Sequence, residues 1–503
     1  MGNAGALIVR TDAGAQMGTG HLMRCLALGR TWRDAGGQVI FITACQNQGL
    51  LKRLQEEDFS IHPVASIYPH AGDWEDTQRV LAAHPDAWVV LDGYHFDEIY
   101  QKQVKDYGHK LLVIDDMAHL KHYYADIVLN QNLHAGQLPY SCEPYTRLLL
   151  GTRYVLLSRE FLIWKDWKRE IQEKVKRILV TMGGSDSNNN TLKVIQALQD
   201  MDMPLEATVV IGASNPHTEA LEAAVGQGRL PIRLIRDAGN MPELMAWADV
   251  AISSAGTTVW EMAFMGLPAL VIVAAENQID IGQGVEKAGT AQNLGWFADV
   301  NKDGISTGLR ALLADKERRQ EMSRRGRELV DGNGAERVYA ALVADGLYLR
   351  QVRREDCRLL WAWANDPAAR RMAISTAPIT LENHQKWFEE KLASDKTANF
   401  ILERDAIPVG QIRFDLNGLG NAEIDIYVTA ESRGRSLGTY LLREGTQRYL
   451  KLNQERVRAV VGHVRPENLP SCQAFEKAGF RNTGTDMIHD LSLVRFVWPE
   501  GEL

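Results

Sequence analysis

A chain of 503 residues, 45% hydrophobic and 24% charged, has ample material for buried cores and predicts about two to four domains. Its formal charge of −8 leaves no basic footprint for nucleic acid, and its five scattered cysteines (Cys25, Cys45, Cys142, Cys357, Cys472) form neither a CxxC pair nor a disulfide framework. No apolar run reaches the ~18 residues of a membrane span and no basic-then-apolar leader precedes the first strand, so a cytoplasmic protein is expected, with no membrane, nucleic-acid or metal partner.

The first elements make a strand–loop–helix–strand unit. Ala6-Leu7-Ile8-Val9 predicts a short apolar strand, and Leu22, Cys25, Leu26 and the run from Leu28 to Trp32 recur at helical spacing until Ala35-Gly36-Gly37 stops them. Gln38 to Thr43 predicts a second buried strand. Between them lies Gly18-Thr19-Gly20-His21-Leu22-Met23-Arg24-Cys25, a glycine loop opening a helix. Such a loop lets backbone approach a ligand, and the unpaired N–H groups of the helix start attract anions. His21 stands at the helix mouth, where the macrodipole opposes an added positive charge, and an imidazole there suits a general base. Asp12 and Arg10, just before the loop, are placed to orient the ring or a substrate.

Further apolar runs end in polar residues. Trp88 to Leu91 leads to Asp92-Gly93-Tyr94-His95, Lys110 to Ile114 to Asp115-Asp116, and Ile127 to Leu129 to Asn130-Gln131-Asn132. Continuous apolar runs suit strands covered on both faces, and open α/β sheets bind ligands at the carboxyl ends of such strands. Asp115, Asp116 and His119 lack further metal-type ligands in the pattern, so strand-end hydrogen bonding is expected of them. A linking region around Gly151 and Tyr154 to Leu157 is followed by an expected polar helix bearing tryptophans.

A second α/β domain begins with Arg177 to Met182, which runs into Gly183-Gly184-Ser185-Asp186, read as strand, glycine turn and helix. Thr208 to Ile211, Ile232 to Ile235, Asp249 to Ser253 and Pro268 to Val273 predict further strands. Ser254-Ala255-Gly256-Thr257-Thr258-Val259-Trp260-Glu261 is a second turn of small residues and hydroxyls at a helix start. Its amides and hydroxyls can hold a diphosphate, while Glu261 can accept from ribose hydroxyls. Two such turns plus a terminal Asn277-Gln278 point to a nucleotide.

Two Rossmann-like domains with the nucleotide on the second is the GT-B layout. In order, Arg10-Thr11-Asp12, Gly18 to Ala27, Asp115-Asp116, Asn130-Gln131-Asn132, Gly183 to Asp186, Ser254 to Glu261 and Asn277-Gln278 resemble the UDP-sugar hydrolases of pseudaminic acid biosynthesis, which are related to the MurG transferase. The resemblance spans roughly residues 5–345. It implies hydrolysis of UDP-2,4-diacetamido-2,4,6-trideoxy-β-L-altropyranose at the anomeric carbon, with inversion and without a metal. His21 corresponds to the general base, with Asp12 as its catalytic neighbour. UDP would be held by Gly183, Gly184, Ser185, Ser254, Ala255, Gly256, Thr257, Thr258 and Glu261, and the sugar would meet Gly20, Tyr94, Asn132, Asn277 and Gln278. The same layout also suits a UDP-sugar glycosyltransferase carrying an acyl-CoA-binding module.

Past Asp331-Gly332-Asn333-Gly334 the pattern changes, and a separate α+β domain is expected. Strands are predicted at Phe400 to Leu402, Val409 to Phe414, Ile424 to Val428 and Val457 to Val461. The third leads into Arg433-Gly434-Arg435-Ser436-Leu437-Gly438-Thr439 and an apolar helix, another diphosphate cradle. With Asn468 and Glu476-Lys477-Ala478-Gly479-Phe480 downstream, this stretch resembles the GNAT acetyltransferases. Acetyl-CoA is then the implied co-substrate, held by Ile426, Val428, Arg433, Gly434, Gly438, Thr439 and Asn468. Ser436 replaces a customary glycine, which is tolerable if its φ stays negative. Phe475 stands where the family often has an acidic tyrosine, leaving Tyr440, Tyr427 or water for that role; Glu423 or His384 are candidates to accept the amine proton. The expected architecture is α/β: residues 1–150 and 151–345 as a GT-B-like pair, and 346–503 as a GNAT domain. The expected function is acetyl-CoA-dependent N-acetylation of a UDP-4-amino-4,6-dideoxy sugar, followed by release of UDP.

Overall fold

Strands that are apolar along their whole length must be covered on both faces, and two sheets here are built that way. A computed structural model describes residues 5–14, 19–212, 215–344, 346–373, 376–453 and 456–498. The chain divides into two compact units, Met1–Tyr339 and Ala340–Leu503.

The first unit holds two parallel sheets. One has β1 (Ala6–Thr11), β2 (Gln38–Thr43), β3 (Ser60–Pro63), β4 (Trp88–Asp92), β5 (Lys110–Ile114), β6 (Ile127–Asn130) and β7 (Arg147–Leu150) in the order β3-β2-β1-β4-β5-β6-β7. The other has β8 (Arg177–Thr181), β9 (Glu206–Ile211), β10 (Ile232–Arg236), β11 (Val250–Ser254), β12 (Ala269–Val273) and β13 (Ala291–Trp296) in the order β10-β9-β8-β11-β12-β13. Successive side chains of the second sheet enter opposite cores: Leu179, Ala251 and Val271 one, Ile178, Ile252 and Leu270 the other. In each sheet the strand order reverses once, between β1 and β4 and between β8 and β11. Loops leaving a sheet at such a point diverge and open a crevice, which is where a ligand fits.

Three expectations need correcting. The stretch after Phe161 is not a helix: the helix Arg159–Leu162 ends there, and residues 163–176 cross the second core as irregular chain. Trp164 and Trp167 pack edge to face at 5.3 Å, and Arg169 donates to the carbonyls of Met245, Ala248 and Met265, so this segment's polar groups serve the ends of other elements. The helix after Gly183-Gly184 begins only at Asn190, because the Asp186 carboxylate already accepts from the amides of Asn190 (2.9 Å) and Thr191 (2.8 Å). The amides at its start therefore already donate to a protein carboxylate. β3, β7 and β13 were not expected; they are outer strands of their sheets or short half-buried ones and lack a continuous apolar run.

The second unit holds β14 (Leu347–Gln351), β15 (Thr397–Arg404), β16 (Ile407–Leu416), β17 (Asn421–Val428), β18 (Ala459–Val464), β19 (Arg481–Ile488) and β20 (Leu491–Val497) in the order β14-β15-β16-β17-β18-β20-β19. Neighbours are antiparallel except β17 and β18, which run parallel and pair only from Asn421↔Ala459 to Ile424↔Gly462. Beyond Ile424 the two strands part, leaving the β17 edge from Asp425 to Val428 unpaired on that side. The helix Leu437–Asn453 packs through Leu441 and Leu442 on the face of Ile412 and Phe414. The helices Cys357–Ala364 and Leu381–Ala393 pack through Leu360 and Phe388 on the opposite face, with Ile401 and Tyr427.

Candidate active sites

Register between β1 and β4 places Thr11 opposite Asp92, so the Asp92 carboxylate stands beside the helix that follows β1. That helix, Gly20–Asp34, puts His21 and Arg24 on one face, three residues apart. His21 Nδ1 lies 2.6 Å from Asp92 Oδ1, which places a hydrogen on Nδ1, so that in a neutral ring Nε2 is the acceptor. Arg24 donates to both Asp92 oxygens at 2.7 Å through Nε and Nη2, and to Asp116 at 2.9 and 3.0 Å through Nη1. Asp92 is fully buried, which disfavours its charge, yet Arg24 and His21 outweigh burial and hold its carboxyl well below the usual range. His21 thus has a permanently ionised partner.

Asp116 gathers the rest of this wall. It accepts from Tyr94 Oη at 2.7 Å and from Asn132 Nδ2 at 3.0 Å. The His21 ring meets Tyr94 edge to face at 5.0 Å, and Asn277 of the second sheet's loops reaches Tyr94 Oη at 3.4 Å. Burial and the Asp116 charge push the Tyr94 hydroxyl far above its ordinary value, so it remains a neutral donor. Asp12 is placed differently from expectation: it accepts from Arg10 Nη1 (2.6 Å) and Ala44 N (2.7 Å) and lies 3.1 Å from His95 Nε2, so it does not orient His21. Asp92 does. Asp92 was seen in the sequence only as a strand end; the signal that could have singled it out was Arg24 one turn after His21, a buried cation needing carboxylates. Asp115 pairs with His119 Nδ1 at 2.8 Å and with Tyr140, in strand-end hydrogen bonding.

The nucleotide-type turns converge opposite this wall. Gly183 follows β8 with φ +85°, a conformation that costs a side-chain-bearing residue, and the position its Cβ would take is 3.6 Å from Ser254 Oγ. Gly184 packs so closely on Gly212 that a Cβ on Gly212 would sit 2.0 Å from the Gly184 carbonyl oxygen. Ser185 lies half-buried on the same turn. Ser254 ends β11, Ala255 is buried beneath the turn, and Gly256 and Thr257 lead into the helix Thr258–Phe264, whose start has no side-chain cap. The Cβ position of Gly256 is 3.6 Å from Gln278 Nε2, while Gln278 Oε1 accepts from Ala274 N at 3.0 Å. Gln278 therefore borders the Ser254 to Thr258 turn. The Cβ position of Gly20 is 3.6 Å from Thr257 Oγ1, which brings the His21 helix start against this turn. Loss of solvation, with the charge of Glu160 adding to it, pushes the Glu261 carboxyl up to about 7.

In the second unit a cavity of about 1170 Å³ fills the gap where β17 and β18 part. Ile426, Val428, Arg433, Gly434, Gly438, Thr439 and Asn468 all line it. Asn468 caps the helix Leu469–Ala478, accepting from Ser471 N at 3.3 Å. Ser436 has φ +60°, so it takes the left-handed conformation that a glycine would adopt freely, and the condition of a negative φ is not met. Phe475 is buried, and the Cβ position of Gly462 falls 2.2 Å from its ring, so it fills space between β18 and the helix that carries it. Tyr440 and Glu423 are not among the lining residues; Tyr427 and His384 are. Tyr427 donates to Asp366 Oδ2 at 3.4 Å. Burial, with the charge of Arg413 beside it, lowers the His384 imidazole below its ordinary value despite a bond to the Cys357 backbone, and its buried Nε2 has no hydrogen-bond partner among the described residues.

Fold and site together define a GT-B-type pair of Rossmann-like domains followed by a GNAT domain. Residues 177–337 match the Glycosyltransferase family 28 C-terminal domain, and residues 346–481 match the Acetyltransferase (GNAT) domain. An uncharacterised protein of Methanocaldococcus jannaschii is 24% identical over 494 residues, covering 95% of this chain and 97% of its own length, so it carries both units. The UDP-2,4-diacetamido-2,4,6-trideoxy-beta-L-altropyranose hydrolase of Campylobacter jejuni is 25% identical over 292 residues, 56% of this chain and 97% of its own. The crystal structure of Acinetobacter baumannii MurG superposes with a TM-score of 0.50 at 16% identity, over 67% of this chain and 98% of that one, and shares the fold.

Proposed function

We propose that this chain is a bifunctional nucleotide-sugar enzyme of pseudaminic acid biosynthesis. Its GNAT domain acetylates the amine of a UDP-4-amino-4,6-dideoxy sugar, and its GT-B pair then hydrolyses UDP-2,4-diacetamido-2,4,6-trideoxy-β-L-altropyranose to free sugar and UDP. The division of labour follows residues 1–150 for the general base, 151–345 for UDP and 346–503 for acetyl transfer. The observation that carries the hydrolytic half is the His21–Asp92 pair facing the Thr257 turn across the Gly20 contact.

In the hydrolytic step His21 Nε2 takes a proton from water as the water oxygen bonds to the anomeric carbon. The bond from that carbon to the β-phosphate oxygen breaks, and UDP leaves from the opposite face, inverting the centre. Asp92 stabilises the imidazolium that forms and keeps the tautomer correct. Amides and hydroxyls of Gly256, Thr257 and Thr258 stand where the diphosphate's charge would grow, and Glu261 where ribose hydroxyls would lie. Tyr94, Asn132 and Asn277 form the polar wall for the sugar.

For acetyl transfer the parted strands supply what a long, thin co-substrate needs. The free β17 edge from Asp425 to Val428 offers backbone groups to a pantetheine arm, and the loop Arg433–Thr439 offers amides to a diphosphate. Acetyl-CoA supplies the activated acyl group when bound. The amine nitrogen bonds to the acyl carbon, the carbon–sulfur bond breaks, and the amine proton passes through solvent to the departing thiolate. At about 1170 Å³ the cavity is large enough for co-substrate and acceptor together.

The test follows the UDP-4-amino sugar by ³¹P NMR with purified protein, with and without acetyl-CoA. Release of UDP only when acetyl-CoA is present is the expected result. Acetylation with no UDP release would sink the hydrolase reading and favour a glycosyltransferase awaiting an acceptor, which the family 28 match also allows.

A further inference from the structure

The acetyl-transfer cavity passes through the sheet from one face to the other. The Arg433–Thr439 loop leads into the helix on the Ile412 and Phe414 face, while the helices spanning 357–393 cover the opposite face with Tyr427. The loop end suits acetyl-CoA, and the opposite end is left for the acceptor. The cavity is strongly cationic: Arg370, Arg371, Arg413, Arg433, Arg465 and Lys477 line it, and among the described residues Asp425 is the one carboxylate that does.

Some of these charges are already matched. Arg413 pairs with Asp415 at 2.9 Å and Asp425 at 3.1 Å, and Arg433 with Asp366 at 3.4 Å. Three are more weakly matched, Arg465 by a single longer ion pair and Arg370 and Arg371 by none among the described residues. Arg370 donates to the Ala377 carbonyl at 3.2 Å, Arg371 has no ion pair among the described residues, and Arg465 donates to the Ala373 carbonyl at 2.8 Å with Glu467 at 3.6 Å. The Nε atoms of Arg370 and Arg465 are buried without a hydrogen-bond partner among the described residues. The Arg465–Ala373 bond ties the end of the helix Pro367–Met372 to the end of β18, so the three guanidinium groups share one wall. Like charges gathered with so little compensation repel one another, and the half-buried Arg370 and Arg465 also lose solvation, a cost an incoming anion offsets.

We propose that Arg370, Arg371 and Arg465 read the diphosphate of the acceptor, so that acetyl transfer takes the nucleotide-linked amine and not the free amino sugar. This rests on the acceptor class proposed above and adds the residues that enforce it. Guanidinium groups bind phosphate oxygens bidentately, a match that a neutral sugar cannot supply. Acetylation must then precede loss of the nucleotide.

The experiment measures thiol release by the full chain with acetyl-CoA and two acceptors: the UDP-4-amino sugar and the same amino sugar without UDP. The expected result is a kcat/KM about 100-fold higher for the UDP-linked amine, with Arg371→Gln and Arg465→Gln each raising the acceptor KM about tenfold but not that of acetyl-CoA. Arg371→Lys, which keeps the charge at an exposed position, should recover part of the affinity. Equal kcat/KM for the two acceptors, or an equal rise in the acetyl-CoA KM, overturns the proposal while leaving acetyl transfer standing. If neither amine is acetylated although calorimetry shows that the chain binds CoA, the acceptor reading falls and the proposal with it.

Discussion

Replacing Asp92 by asparagine tests the proposed hydrolytic site. The carboxylate is fully buried and receives four donors: Arg24 Nε and Nη2 at 2.7 Å, His21 Nδ1 at 2.6 Å and Cys25 Sγ at 3.4 Å. An amide of the same shape keeps one acceptor and turns the other into an N–H. Facing His21, that N–H drives the imidazole to carry its hydrogen on Nε2, the atom proposed to accept a proton. Losing a hydrogen bond between charged partners costs about 1.5–3 kcal/mol, or roughly 10–150-fold in rate, and the wrong tautomer can take the loss to about 10⁴-fold. Arg24 keeps two bonds to Asp116, so the stability loss should fall near the low end of the ~3–5 kcal/mol for breaking a buried pair. The assay is steady-state UDP release alongside thiol release from acetyl-CoA. The expected outcome is a fall in kcat for UDP release of at least about 100-fold, with acetyl transfer retained. An Asp92→Asn protein that folds and releases UDP at the original rate would refute the role of the pair.

Other outcomes follow from the same geometry. Glu261 carries a carboxyl raised to about 7, so the folded state binds its proton more tightly than the unfolded chain does, and stability falls as pH rises from about 4.3 through about 7. Glu261→Gln should flatten that window in urea titrations at pH 5 and 8 and weaken UDP binding by calorimetry. Asp92 behaves oppositely: its depressed pKa contributes stability that is present above about pH 4 and lost on acidification, and Asp92→Asn should remove that loss. Gly20→Val should block the approach to Thr257 and raise the KM for the UDP-sugar, read by ³¹P NMR. Ser436→Gly should relieve a left-handed conformation and stabilise the protein by about 1 kcal/mol in denaturant titration, whereas Ser436→Val should destabilise it.

Much of this protein is local in origin. Continuous apolar runs such as Trp88–Asp92 and Ala269–Val273 specify doubly covered parallel strands, because no half-exposed strand tolerates them. Glycines beside hydroxyls after such runs mark the turns at the strand ends, and the loop 433–439 likewise marks the cavity between β17 and β18. Gly18, part of the first loop's pattern, lies outside the described residues. What the chain order could not reveal was partnership across the fold. Asp12 is nearer to His21 in sequence, yet Asp92 reaches the ring because β4 pairs beside β1 and presents its last residue there. Asp186 reads in the sequence only as the end of a glycine turn, yet its carboxylate caps the helix that begins at Asn190. The cationic wall of Arg370, Arg371 and Arg465 joins residues almost a hundred positions apart, through a bond between a helix end and a strand end. Local sequence sets which backbone conformations are cheap; charge pairing acts through space, and only the packed sheets decide which charges meet.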